Sequence, residues 1–183
     1  MTRVLITGMS GTGKSTALVE LARRGHHVVD ADSPEWSVEI PSPGPSAMEH
    51  VWREAAMTTL LAEHDNCSLF VAGCASNQGR FYNCFDAVVL LSAPVDVMLQ
   101  RIAIRLTNQF GKTTEERRRI LADLEAVEPL LRATSTIEIV TTIPVTEVAD
   151  ALETVAREAQ PRPAWGSATD QPELRRACRA NEP

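Results

Sequence analysis

The stretch RVLITGMSGTGKSTALV, Arg3 to Val19, decides the fold. It opens on an apolar run, Val4-Leu5-Ile6. It breaks at Gly8, crosses Met9-Ser10-Gly11-Thr12 and closes in Gly13-Lys14-Ser15-Thr16. The spacing is G-x-x-x-x-G-K-S without a mismatch. Such glycines let the backbone curl into a nest whose N–H groups converge on phosphate oxygens. The lysine reaches the β- and γ-phosphates, and the serine hydroxyl can ligate Mg²⁺. Val4-Leu5-Ile6-Thr7 is strand-forming and Ala17 to Ala22 helix-prone, so the loop lies between a strand and a helix whose positive dipole end adds to the anion site. Gly8, Met9, Ser10, Gly11, Thr12, Gly13, Lys14, Ser15 and Thr16 are therefore the expected nucleotide-binding set. Lys14 acts on the transferring phosphate and Ser15 on the metal.

The bulk properties narrow the rest. The chain has 183 residues, 44% hydrophobic and 23% charged, which suits a compact α/β domain. A net charge of -6 and 4% aromatic content speak against nucleic acid as a partner. No segment approaches the roughly 18 apolar residues of a membrane span, and the N-terminus reaches the glycine loop too soon for a signal peptide. The cysteines, Cys67, Cys74, Cys84 and Cys178, form no C-x-x-C pair, as expected of reduced thiols in a cytoplasmic protein.

Working outward, the first helix runs to Arg23-Arg24 and stops at Gly25. His26-His27-Val28-Val29 reads as a second strand that delivers Asp30-Ala31-Asp32. Alternation puts both carboxylates on one side, facing the phosphate loop at the C-terminal edge of a parallel sheet. Phosphoryl transfer needs one carboxylate by the metal and one by the acceptor hydroxyl; a solvated acidic turn is the bland alternative. Residues 33–46, with Pro34, Pro41, Pro43, Pro45 and Gly44, read as a long irregular binding loop. Trp36 in it either stacks on a substrate or pins the loop down. Ser46-Ala47-Met48-Glu49 reads as a capping box that starts a helix to about Glu63, its apolar stripe Val51, Ala55, Thr59 and Leu60.

A third strand, Ser68 to Ala72, ends in the loop Gly73 to Arg80 with no terminal acid. Asp30 is then the best candidate to support the metal. Asn77, Gln78 and Arg80 either contact a substrate or close a turn. Ala87 to Leu91 is a fourth, interior strand, followed by a helix from Ser92-Ala93-Pro94 to about Thr107 with Arg101 and Arg105 on one face. Asn108 to Lys112 makes a hinge through which these cations could close over phosphates. Thr113 to Glu116 caps a helix carrying Arg117-Arg118-Arg119, which Pro129 is expected to interrupt. Ile137 to Val140 is a fifth strand and Val145 to about Glu158 a last helix. From Pro161 a proline-rich tail follows, with Trp165 able to dock back.

Five strands alternating with helices indicate a parallel sheet with helices on both faces. The phosphate loop, Asp30-Ala31-Asp32, Trp52-Arg53-Glu54, the run from Val88 to Arg105 and Pro129-Leu130-Leu131-Arg132 through Val148 together resemble the small P-loop kinases of the shikimate kinase and nucleoside monophosphate kinase (adenylate kinase-like) group, over about residues 1–158. That resemblance implies a three-layer fold with strand order 2-3-1-4-5. It implies a kinase domain over residues 1–160, with an acceptor-binding insert at about 33–64 and a short lid at about 105–114. The tail, 161–183, lies outside it. It further implies ATP and Mg²⁺ as cofactors, Asp32 as base and acceptor ligand, and Asp30 supporting Mg²⁺. Arg53, Gly73, Asn77 and Arg132 then fall on the acceptor side, Arg105 is a lid arginine, and adenine lies near Arg101.

The triple glycine of shikimate kinases is Gly73-Cys74-Ala75 here, and the long lid of adenylate kinases is missing, so the group fits better than any named substrate. The expected activity is transfer of the γ-phosphate of ATP to a small-molecule acceptor by a cytoplasmic monomer or homodimer. A regulatory ATPase or nucleotide sensor without an acceptor is the alternative. A GTPase is disfavoured, since no Asn/Thr-Lys-x-Asp guanine motif is present.

Overall fold

A computed structural model describes residues 2–42, 48–63, 68–105 and 111–159. The strands are β1 (Arg3–Thr7), β2 (His27–Asp30), β3 (Ser37–Pro41), β4 (Met48–Trp52), β5 (Leu69–Ala72), β6 (Ala87–Ser92) and β7 (Ile137–Val140); helix α1 (Lys14–Arg23) follows β1, α2 (Glu54–Glu63) follows β4, α3 (Val95–Ile104) and α4 (Thr114–Thr134) follow β6, and α5 (Val145–Glu158) follows β7. A 3-10 helix spans Gln78–Cys84.

Five strands form one parallel sheet in the order β2-β5-β1-β6-β7, which is the expected 2-3-1-4-5 once the sheet's own strands are counted in sequence. Strand β1 lies at its centre, with Val4, Leu5 and Ile6 fully buried, because a parallel interior strand is covered on both faces. Side chains alternate across the sheet. Val4 and Ile6 join Phe70, Val89 and the inner faces of α1 and α5 in one core. Leu5 and Val71 point to the opposite core, with Trp52, Met57 and Phe85. The C-terminal ends of β1, β2, β5 and β6 then meet at one edge, where their loops converge.

Three expectations are corrected. Residues 37–41 are not irregular: β3 pairs antiparallel with β4, Ser37 opposite Trp52 and Pro41 opposite Met48. Pro41 falls at the strand's end, where no ladder N–H is required of it, and Pro34 precedes the strand; Pro43 and Pro45 lie outside the described residues. The helix does not begin at Ser46, which lies outside the described residues. Met48 to Trp52 is strand and α2 starts at Glu54, so Val51 belongs to the hairpin and Met57 and Leu61 are the helix's buried side chains. Finally, α4 runs unbroken through Pro129. The capping box at its start is present, with Thr113 Oγ1 accepting from the Glu116 N–H at 3.2 Å. The hinge residues 108–110, Cys67, Cys178, Trp165 and the rest of the tail lie outside the described residues.

Candidate functional site

The phosphate loop is built by conformational permission. Gly13 caps α1 at φ 96°, a left-handed geometry that a side chain disfavours, and from it the chain turns directly into the helix. Thr12, fully buried, donates its hydroxyl to the Met9 carbonyl at 2.8 Å and closes the loop on itself. Lys14 Nζ donates to the Gly8 carbonyl at 2.6 Å, so the ammonium arches back over the nest.

Around this loop lies a cleft of about 800 Å³ lined by Met9, Ser10, Gly11, Gly13, Lys14, Ser15 and Thr16, and also by Asp30, Asp32, Arg101 and Arg105. The fold thus brings together most of the nucleotide-side residues expected from the sequence. Arg101 donates to the Gly11 carbonyl at 3.3 Å and to Thr141 Oγ1 at 2.9 Å, and Thr141 in turn donates to the Thr12 carbonyl at 2.8 Å. This ties the phosphate loop to the loop between β7 and α5. Arg105 reaches Ser10 Oγ at 3.1 Å. Thr141 carried no signal in the sequence beyond its place after a strand.

The acidic turn faces the loop. Asp32 Oδ2 is 4.0 Å from Lys14 Nζ, and Asp32 Oδ1 accepts from the Cys74 N–H at 2.8 Å. Burial alone would push the Asp32 carboxyl up, but His50, Lys14 and the Cys74 N–H outweigh it and hold the group below its ordinary value. Asp30 moves the other way. Burial raises its carboxyl, and the Asp32 N–H donated to Asp30 Oδ1 opposes that only in part. Two carboxylates with different environments can take different roles.

Four residues expected on the acceptor side do not line this cleft. Gly73 lies beneath Asp32. A Cβ there would stand 2.8 Å from Asp32 Oδ1 and 3.0 Å from the Trp52 ring, so glycine is what lets carboxylate and indole meet. Asn77 is occupied by the hairpin: its amide accepts from the Trp52 N–H at 2.9 Å and donates to the Trp52 carbonyl at 3.0 Å. Arg53 donates to the Pro34 carbonyl at 3.3 Å. Arg132 sits at the end of α4, bound to Glu138 at 2.9 Å and Glu128 at 2.7 Å. The hairpin also brings in His50, which its sequence context did not flag; its ring lies 3.5 Å from Asp32.

The donor set suits a hard divalent cation. The Ser15 hydroxyl and the Asp30 carboxylate offer oxygen ligands on the cleft wall. Among the described residues no cluster of three or more His, Cys, Asp or Glu side chains could hold a metal ion.

A phosphate loop opening a helix at the edge of a parallel sheet in this strand order defines a P-loop nucleotide-binding protein with the fold of the small kinases. The chain belongs to the AAA domain family, whose model matches residues 4–122, well over half of its length. Among solved structures, the shikimate kinase of Acinetobacter baumannii in complex with shikimate superposes with a TM-score of 0.58 at 17% identity, covering 88% of this chain and 96% of that one. Deoxyadenosine kinase from M. mycoides with bound dATP gives 0.55 at 12%, covering 86% and 100%. An unliganded sugar kinase from Janibacter sp. HTCC2649 gives 0.53 at 19%, covering 88% and 96%. At these identities the fold is what is shared. No curated protein matches the sequence. Among the described residues, no helix is long and apolar enough to cross a membrane.

Proposed function

We propose that this chain is an ATP-dependent phosphotransferase that moves the γ-phosphate to a hydroxyl of a small-molecule acceptor. One observation carries this reading: a carboxylate, Asp32, held ionised 4.0 Å from the phosphate-loop lysine. Asp30 can serve a metal, and Asp32, the carboxylate nearer the lysine, is left for the acceptor. That is the place a base for an acceptor hydroxyl needs.

In this reading Gly8 to Thr16 wrap the phosphates, Lys14 leaves the Gly8 carbonyl for phosphate oxygens, and Arg101 and Arg105 approach from α3. Arg101 braces the loop against Thr141, on the side where the nucleoside would lie. Ser15 and Asp30 would hold Mg²⁺, which supplies charge neutralisation on the phosphate oxygens. Asp32 orients the acceptor hydroxyl and takes its proton. The acidic lip of Asp30 and Asp32 favours a neutral alcohol over an anionic phosphate as acceptor. The fold's neighbours include kinases named for shikimate, a sugar and deoxyadenosine, all hydroxyl-bearing compounds, which supports the same choice.

An ADP-release assay across sugars, nucleosides, hydroxy acids and nucleoside monophosphates tests it. At least one alcohol is expected to stimulate turnover, and Asp32→Asn is expected to remove that stimulation. Stimulation that survives Asp32→Asn refutes the base. If no acceptor ever stimulates turnover, the regulatory ATPase reading stands instead.

A further inference from the structure

His50 is explained neither by the phosphate loop nor by the acidic turn. It sits on β4 directly opposite Glu39 of β3, two residues before Trp52, so both side chains project from the same face of the hairpin. Its Nδ1 lies 2.9 Å from Glu39 Oε1. Its Nε2 is buried, makes no hydrogen bond, and lies 3.5 Å from Asp32 Oδ1. The charged groups facing the ring are thus Asp32 from the turn after β2 and Glu39 from the neighbouring strand, with Lys14 beyond Asp32. Asp32 first, and Glu39 behind it, raise the imidazole above its ordinary range against the opposing effect of burial.

The backbone anchors the arrangement. The His50 carbonyl accepts from the Ser76 N–H at 3.0 Å and from its hydroxyl at 3.2 Å. The hairpin is therefore fastened to the same loop that gives the Cys74 N–H to Asp32 Oδ1. Trp52, 1% exposed, keeps its indole N–H unpartnered where it borders Gly73, and a Cβ on Gly73 would touch both that indole and Asp32. The hairpin face has been brought as near to Asp32 as a glycine permits.

Asp32 Oδ1 thus accepts from the Cys74 N–H and has the His50 ring 3.5 Å away, whereas Oδ2 faces Lys14. We propose that His50 is a positioning residue for Asp32: backed by Glu39, it holds Oδ1 and leaves Oδ2 turned toward the phosphate loop as the oxygen that receives the acceptor's proton. This rests on reading Asp32 as the base. In the transfer, the acceptor hydroxyl oxygen forms a bond to the γ-phosphorus and the bond from that phosphorus to the β,γ-bridging oxygen breaks. ADP leaves with the electron pair, and the hydroxyl proton passes to Asp32 Oδ2. His50 touches none of the reacting atoms.

The test uses the full chain with ATP, water serving as acceptor, and NMR of the histidine Cε1–H. His50→Ala is expected to lower kcat about ten- to hundredfold, the range that misplacing a catalytic group produces, with KM for ATP held within about twofold. His50→Gln, whose amide can still reach Asp32, is expected to recover most of the loss. In the NMR arm, Asp32→Asn and Glu39→Gln are each expected to move the His50 titration to lower pH. An unchanged kcat in His50→Ala, a loss carried by KM for ATP instead, or a His50 titration indifferent to Asp32→Asn overturns the proposal. Equal hydrolysis by wild type and Asp32→Asn would instead overturn Asp32 as base, and the titration arm still decides whether His50 and Asp32 are coupled. If wild type hydrolyses no ATP, that arm alone decides.

Discussion

Lys14 rests on the Gly8 carbonyl at 2.6 Å, an internal partner that phosphate oxygens must displace. A charge-assisted bond to a phosphate oxygen contributes about 1.5–3 kcal/mol, so Lys14→Ala is expected to weaken ATP binding at least about tenfold by calorimetry. Unchanged affinity would remove the phosphate-loop assignment. Gly73 makes the complementary point beside Asp32. Gly73→Ala places a methyl 2.8 Å from Asp32 Oδ1 and 3.0 Å from the Trp52 ring, and one of them must shift. The expected result is near-normal ATP affinity, reduced acceptor-dependent turnover and a stability loss of about 1–3 kcal/mol on denaturant titration. The phosphate loop was legible in the sequence because its chemistry is local: a nest and a lysine at fixed spacing from one another. His50 was not, because its meaning comes from Glu39 across a hairpin and Asp32 across a turn. No spacing rule connects those three positions.

At the scale of elements, legibility followed the same division. Strand β1, helix α1, strand β7 and helix α5 carry periodicity and stop signals that tertiary packing then endorsed. The hairpin did not, because Ser46-Ala47-Met48-Glu49 satisfies the local rule for a helix start, while the pairing of Ser37 to Pro41 with Met48 to Trp52 decided otherwise. Helix α4 shows both outcomes. Its capping box formed as read, and Thr113→Ala is expected to cost about 1 kcal/mol on thermal or urea unfolding. Its proline was overruled, since Leu131 and Ile120 anchor the helix on either side of Pro129. Pro129→Ala, which restores a backbone donor, is expected to stabilise the protein by about 1–3 kcal/mol in the same measurement. A loss of stability there would mean the ring itself packs usefully.

Across the whole molecule, Glu138 links three elements. It accepts from Ser92 of β6 at 2.6 Å and from Arg132 of α4 at 2.9 Å, while lying on β7. Arg132 first, with Ser92, draws its carboxyl down to about 2. A depressed folded value stabilises the protein above the ordinary carboxylate range and is lost as pH falls toward the folded value. Glu138→Gln is therefore expected to melt below wild type near neutrality, with the gap closing between about pH 4.5 and about pH 2. A gap that stays constant across that range would mean the charge is not what joins these elements.

The placement of β1 also sets the order in which the protein can assemble. Arg3 pairs with Leu69 on one side, and Val4 with Ala87 on the other. Strand β1 is thus made before both of its neighbours and must wait for two later strands. At about 5–20 residues per second, that wait lasts several seconds. During it the glycine loop after β1 has no sheet to hold its curvature. Competence to bind nucleotide therefore arrives with the closing of the sheet, and nucleotide bound in the cleft stabilises only chains that have completed that step.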